Sequence, residues 1–247
     1  MQIIPAIDIK GGRCVRLRQG KMDEATVYSE NPIKVAQRWE AEGGDNLKVI
    51  HIVDLDAAIE GRPINHDIII GMASFINTPI QVGGGIRTIE DAEIYLKLHG
   101  VKRIIIGTAA LEDDTFLKEV IRKYPGRVAV GIDVLDDMVA VKGWVDVSKV
   151  TALDLAYKVE AMGAEAIIYT DISKDGMLQG PNLEANTTLS RLIEIPVIAS
   201  GGVSNINDIR ELKKTGASGV IVGKALYSGD LDLKEALKVG ASTIRDI

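Results

Sequence analysis

Cysteine is nearly absent: Cys14 stands alone, so the chain can form no internal disulfide and offers no site that needs several thiolates. Histidine is scarce too. His51, His66 and His99 are scattered without ligand spacing, which argues against a structural or catalytic zinc. No apolar run approaches the length that spans a bilayer, and the N-terminal MQIIPAIDIKGGR has no basic stretch followed by a long apolar one, so a cytoplasmic protein is expected. Positive charge is not in excess either. A net charge of −6 argues against broad binding to nucleic acid or anionic membrane, so any phosphate must be held by local groups.

What remains is ample core material. The chain has 247 residues, 46% of them hydrophobic and 26% charged, enough for one large α/β domain spanning 1–247. Eight short runs rich in Ile and Val recur: IIPAID, LKVIHIVDLD, PIQVGG, KRIIIGT, RVAVGID, AIIYTDI, IPVIASGG and GVIVGK. They read as parallel strands covered by the amphipathic segments between them. Helix punctuation fits: Asn31 before Pro32 starts one helix and Gly43 and Gly44 close it. Thr88 with Asp91 and Thr151 with Asp154 have capping-box spacing, and Gly100, Gly163 and Gly216 sit where C-terminal glycines belong. Eight strand–helix units without an inserted domain favour a closed (β/α)8 barrel over an open sheet.

An internal repeat strengthens the barrel reading. Asp8 corresponds to Asp133, the segment around Asp54 to that around Asp171, VGGGIRTIEDA to ASGGVSNINDI, and IIIGTAAL to VIVGKALY, all in the same order. Two similar half-barrels are expected, about 1–122 and 123–247.

The repeated glycines fall after strands, on the face where barrels bind ligands. Gly83, Gly84 and Gly85, then Gly107 and Thr108, have counterparts in Ser200, Gly201 and Gly202, then Gly223 and Lys224. Bare amides and helix N-termini there can hold two phosphates on opposite rims, helped by Arg87 and Lys224. The competing reading is that these glycines only permit tight turns. Asp8 and Asp133 close the first and fifth strands, which face each other, and such a pair suits acid–base chemistry. The plainer role is to cap the loop that follows each strand. Asp175, in the loop SKDG, competes for the acid role, whereas Asp54 and Asp171 read mainly as loop anchors. His51 reads as a packed or hydrogen-bonded residue that is able to touch a ligand.

Two loops stand out. Residues 9–31 form a connection longer than usual, bearing Arg13, Arg16, Arg18, Gln19, Gly20 and Lys21, either a basic lid or a solvated charge run. After the fifth strand, DDMVAVKGW presents Trp144, either to stack on a flat heterocycle or to pack on the rim, while Trp39 reads as core.

Taken together, IIPAIDIKGGRCVRLRQG, HIVDLDAA, QVGGGIR, GTAAL, GID, VAVKGW, SKDGMLQGPN, IASGGV and VIVGKALYSG resemble the phosphoribosylformimino-5-aminoimidazole carboxamide ribotide isomerases of histidine biosynthesis, over nearly the whole chain. The resemblance implies a cofactor-free, metal-free Amadori rearrangement of a ribonucleotide carrying two phosphates, by a protein expected to be a monomer. It implies Asp8 as proton acceptor and Asp133 as donor, with Asp175 near the reacting sugar and the acid role shared between the last two. The expected binding set adds Arg18, Gly20, His51, Trp144 and Thr170 to the glycine corners. The related cyclase, the dual isomerase that also takes phosphoribosylanthranilate, and a non-catalytic bisphosphate-binding barrel are the alternatives. Trp144 points to single specificity, since the resemblance implies that dual enzymes replace it. Ala57 and Met177 depart from the family pattern, which has glycine and threonine there, and removes no proposed catalytic group.

Overall fold

Side chains alternate across a strand, so each barrel strand must satisfy two surroundings at once. In the computed structural model, which describes residues 1–18 and 21–243, with backbone alone for 18 and 21–23, that alternation is visible throughout. Ile7 and Ile9 of the first strand and Ile52 of the next are fully buried beneath the helices. Burying each contributes about 1.5–3 kcal/mol. The opposite faces, with Ile4, Ala6, Ala129, Ile168, Ile198 and Ile221, form a separate cluster inside the barrel.

Numbered along the chain, the barrel strands are β1 (Gln2–Lys10), β4 (Ile50–Asp54), β5 (Ile80–Gly83), β6 (Val101–Ile106), β7 (Val128–Leu135), β10 (Ala166–Asp171), β11 (Val197–Ser200) and β12 (Gly219–Val222). Each pairs in parallel with the next, and β12 pairs with β1, which closes the ring. The eight strands are those expected from the Ile- and Val-rich runs, and the fold is a (β/α)8 barrel with β1 opposite β7.

The remaining strands lie within the two long connections. In the connection 9–31, β1 runs on to Lys10 and pairs with β2 (Arg13–Arg18), which pairs in turn with β3 (Lys21–Ser29), both antiparallel, so this segment is a hairpin. Gly11 and Gly12, at φ 55° and 75°, make the two-residue turn between Lys10 and Arg13. That turn needs positive φ at both places, which glycine supplies at no steric cost. The segment after β7 is likewise a hairpin, β8 (Met138–Val141) and β9 (Asp146–Thr151). Its entry turn is Asp136–Asp137, at φ 50° and 64°. Aspartate tolerates this left-handed region better than most side chains. Of the residues expected in the connection 9–31, Gln19 and Gly20 and the side chains of Arg18 and Lys21 lie outside the described residues.

Most of the helix punctuation matches, though Gly100 lies three residues beyond the Lys97 cap and without positive φ. Asn31 caps the helix Pro32–Gly43 through Lys34 N, with Gly44 at its end, and Thr88 with Asp91 forms a complete capping box. Thr151 accepts from Asp154 N. Trp39 is buried, as expected of core. Among the described residues, no helix is long and apolar enough to cross a membrane.

Candidate active site

The inward faces of all eight strands end in one cavity of about 250 Å³ at the C-terminal rim, built from Ala6 and Asp8, His51 and Val53, Gly83, Ile105, Gly131 and Asp133, Ile168 and Thr170, Ser200, and Ile221. Period-two alternation places Asp8 above Ala6 and Ile4 on β1, and Asp133 above Gly131 and Ala129 on β7. Small residues beneath the two carboxyls leave room for a ligand between them.

The glycine corners surround this cavity on both sides: Gly84, Gly85, Gly107 and Thr108 on one, Gly201, Gly202, Gly223 and Lys224 on the other. Turn geometry and openness to a ligand are both present, so neither sequence reading excludes the other. Gly84 has φ 109°, and a Cβ there would collide with the carbonyl oxygen of Asp54. At Gly107 and Gly223, which begin the short helices Thr108–Glu112 and Lys224–Ser228, no side chain caps the helix. Free amides therefore face the cavity rim. Arg87 lines the rim of the first side. Lys224 on the second side donates to the carbonyl oxygen of Gly176 at 2.8 Å. This ties the second corner to the loop that carries Asp175.

The two strand-end carboxyls have different partners. Asp8 Oδ2 accepts from Arg16 Nη1 at 2.6 Å in an ion pair whose side chains are only 14% and 13% exposed. Arg16 also donates to the Ala6 carbonyl oxygen and lies over the Tyr227 ring. Asp133 Oδ2 instead accepts from Trp144 Nε1 at 2.9 Å. Trp144 sits in the hairpin turn Lys142–Gly143–Trp144, where all three residues have positive φ and Trp144 is at 72°. A bulky residue there is strained, and such strain collects at functional sites. Thr108 Oγ1 anchors the turn by accepting from Lys142 N at 2.9 Å.

Burial pushes the Asp133 carboxyl above its ordinary value, and hydrogen bonds from Trp144 and Thr170 pull it partly back. Asp175 lines the same cavity, and burial pushes its carboxyl up to about 6, Arg16 opposing and the nearby charges of Asp8 and Asp133 adding to the rise. Asp8, ion-paired with Arg16, thus faces two carboxyls that burial pushes up, a difference of environment that acid–base chemistry can use.

Asp54 and Asp171 anchor loops, as expected. Asp54 is fully buried and accepts from the backbone of Ala57 and Asn65, and Asp171 accepts from Ser173 and Asn182. Trp144 lines the cavity and, beyond the readings offered for it, gives its indole N–H to Asp133. Of the expected binding residues, Gly20 and the Arg18 side chain lie outside the described residues, while His51, Trp144 and Thr170 all line the cavity. Sequence reasoning missed Arg16 as a site residue; its signal was the alternation in CVRLR, which turns Arg16 to the face opposite buried Val15 and Leu17. It also missed Gln81 and Arg103, polar residues inside otherwise apolar strands and both buried.

Comparison with known proteins agrees with this geometry. A family model described as "histidine biosynthesis protein" matches residues 2–232. A protein of Acetivibrio thermocellus named 1-(5-phosphoribosyl)-5-((5-phosphoribosylamino)methylideneamino) imidazole-4-carboxamide isomerase is 52% identical over 239 residues, covering 97% of this chain and 99% of that protein. Proteins of the same name from Thermodesulfovibrio yellowstonii and Thermoanaerobacter pseudethanolicus are 53% and 52% identical, each over 97% of this chain and 97% and 99% of their own lengths. The chain belongs to the histidine biosynthesis protein family.

Proposed function

We propose that this chain is the isomerase that converts N′-(5′-phosphoribosyl)formimino-5-aminoimidazole-4-carboxamide ribonucleotide, an aminoaldose, into its aminoketose. The observation that carries the reading is the unequal pair across the cavity: Asp8 held by a guanidinium, Asp133 held by a neutral indole N–H. About half-identical relatives covering nearly the full chain carry the name of this isomerase.

The steps balance with side chains alone. A carboxyl of the Asp133 and Asp175 pair gives its proton to the ribose ring oxygen; the C1–O bond breaks, and the nitrogen lone pair forms a protonated imine at C1. Asp8 then takes the C2 proton, and the electrons of that C–H bond become the C1–C2 double bond while the imine nitrogen returns to neutral. The enol loses its O–H proton as C1 gains one, which leaves a ketone at C2 and an amine at C1. Only transfers over hydrogen-bond distance are needed.

The two matched halves, about 1–122 and 123–247, each supply one phosphate grip. Gly84, Gly85, Arg87, Gly107 and Thr108 hold one end of the substrate, and Ser200, Gly201, Gly202, Gly223 and Lys224 hold the other, so that the ribose lies between the carboxyls. We assign Arg18 and Gly20 to substrate binding from the sequence alone. Among the described residues, one chain lines the whole cavity, which is consistent with a monomeric enzyme acting on a small molecule, and we place it in the cytoplasm.

The test is an assay of the purified protein with the formimino ribonucleotide, with its ketose product plus ammonia, and with phosphoribosylanthranilate. Turnover of the first alone is expected. Turnover of the second identifies a cyclase, of the third a dual isomerase, and of none a non-catalytic barrel.

A further inference from the structure

Three polar side chains lie side by side inside the barrel, at the level just below the carboxyls. His51 of β4 is the register partner of Gln81 on β5, and Gln81 of Arg103 on β6. They are bonded in series. Arg103 Nε donates to Gln81 Oε1 at 2.9 Å, and Gln81 Nε2 lies 2.9 Å from His51 Nδ1. Arg103 Nη1 is ion-paired with Glu165 at the start of β10. Gln81 is fully buried and Arg103 is 3% exposed.

The direction of this chain is forced by its first member. Arginine has donors and no acceptor, so the amide oxygen of Gln81 must face it. Orientation of an amide is otherwise an assignment, but here the guanidinium decides it. The amide nitrogen then faces His51 Nδ1, and since that nitrogen can only donate, Nδ1 must accept and carry no proton. The ring proton is left on Nε2. Among the described residues Nε2 has no protein hydrogen bond, and it is not among the polar atoms sealed without a partner, so it opens onto the cavity that His51 lines. Burial, with Arg16 and Arg103 nearby, pulls the imidazole down to about 3, so the ring is neutral.

We infer that Arg103 and Gln81 are positioning residues that hold His51 as the Nε2–H tautomer, a fixed hydrogen-bond donor to a sugar oxygen beside the reacting carbon. The part concerning the sugar rests on the isomerase reading; the tautomer does not.

A purely structural role explains the trio poorly. At the same level in the other half, Ile168, Ile198 and Gly219 are mutual register partners, and they fill the barrel with apolar groups alone. Arg103 also leaves Nη2 buried without a partner. Buried charge with an unmet donor is a poor way to gain stability. What the trio provides is polarity with a direction: a permanent donor that never becomes a cation competing with Arg16 for Asp8.

Nitrogen-15 NMR of the full chain labelled at histidine tests this, with His51 assigned by comparison with His66→Gln and His99→Gln. At neutral pH the wild type is expected to show a protonated Nε2 and a bare Nδ1. Gln81→Glu places an acceptor against the ring, so its proton should move to Nδ1, and kcat on the aminoaldose should fall about tenfold. Arg103→Met frees the amide to turn and should give a mixture of tautomers. A wild-type ring protonated at Nδ1, or at both nitrogens, overturns the inference without any variant having to fold. So does a Gln81→Glu protein whose Nδ1 stays bare. Absence of isomerase turnover in a wild type with the expected tautomer would count against the proposed function alone.

Discussion

Asp8 and Asp133 stand at the same place in their half-barrels, yet the hairpins that follow return different side chains to them. Each aspartate precedes by three residues a two-residue turn with both φ positive, Gly11–Gly12 in one half and Asp136–Asp137 in the other. From the first hairpin comes Arg16; from the turn of the second comes Trp144. Val141 lies as far beyond Asp133 as Arg16 does beyond Asp8, so the second half has no cation at that place. A guanidinium brings a full charge, whereas an indole N–H brings only a dipole, so equivalent carboxyls sit in unlike electrostatic surroundings. Below them the contrast continues, with His51, Gln81 and Arg103 facing Ile168, Ile198 and Gly219. A matched backbone with mismatched side chains is enough to give two equivalent carboxyls different surroundings.

The comparison is broken most severely at Asp8. Asp8→Asn should lower kcat by about 10³-fold or more while calorimetric affinity for the substrate stays within a few-fold, since a general base acts in the transition state. Arg16→Met removes the cation and should cost about 10²-fold in kcat/KM, the scale of breaking a buried ion pair by about 3 kcal/mol. Trp144→Phe keeps the ring and removes the N–H, and should lower kcat about tenfold, the scale of one hydrogen bond to a charged group. The direction of its pH effect is also set. Trp144 holds the Asp133 carboxyl down, so without it that carboxyl rises further and stays protonated to higher pH. The falling alkaline limb of the rate profile should therefore move up; a downward shift would contradict the acid role.

The smallest effect is on stability. Asp175 is held at about 6 in the folded chain against an ordinary 3.8, so at pH 7.5 it is ionised in a place that disfavours the charge. Asp175→Asn should raise stability there by about 1–2 kcal/mol in urea titrations. The gain should shrink as pH falls from about 6 toward 4, because the wild-type carboxyl then gains its proton in the folded state and the penalty disappears. Activity should fall as stability rises.

Much of this architecture was legible along the chain. The eight Ile- and Val-rich runs, the Asn31–Pro32 start and the Thr88–Asp91 capping box are local patterns, and each lies where the sequence indicated. The hairpins were not. Their turns, Gly11–Gly12 and Asp136–Asp137, are local, but whether the segments on either side pair is decided across the turn and not within either segment. Trp144 was legible as a residue of interest but not as a donor to Asp133, since that contact needs a run of three positive φ values which its neighbours do not announce.

By itself the sequence determined the strand and helix periods, the repeated glycine corners and the two matched aspartates, because these follow from neighbours in the chain and from the comparison of one half with the other. Only the tertiary structure decided that Arg16 pairs with Asp8, that Trp144 pairs with Asp133, and that Arg103 reaches His51 through Gln81. The last of these joins three separate strands by cross-strand register, and register is a property of the closed sheet rather than of any one segment.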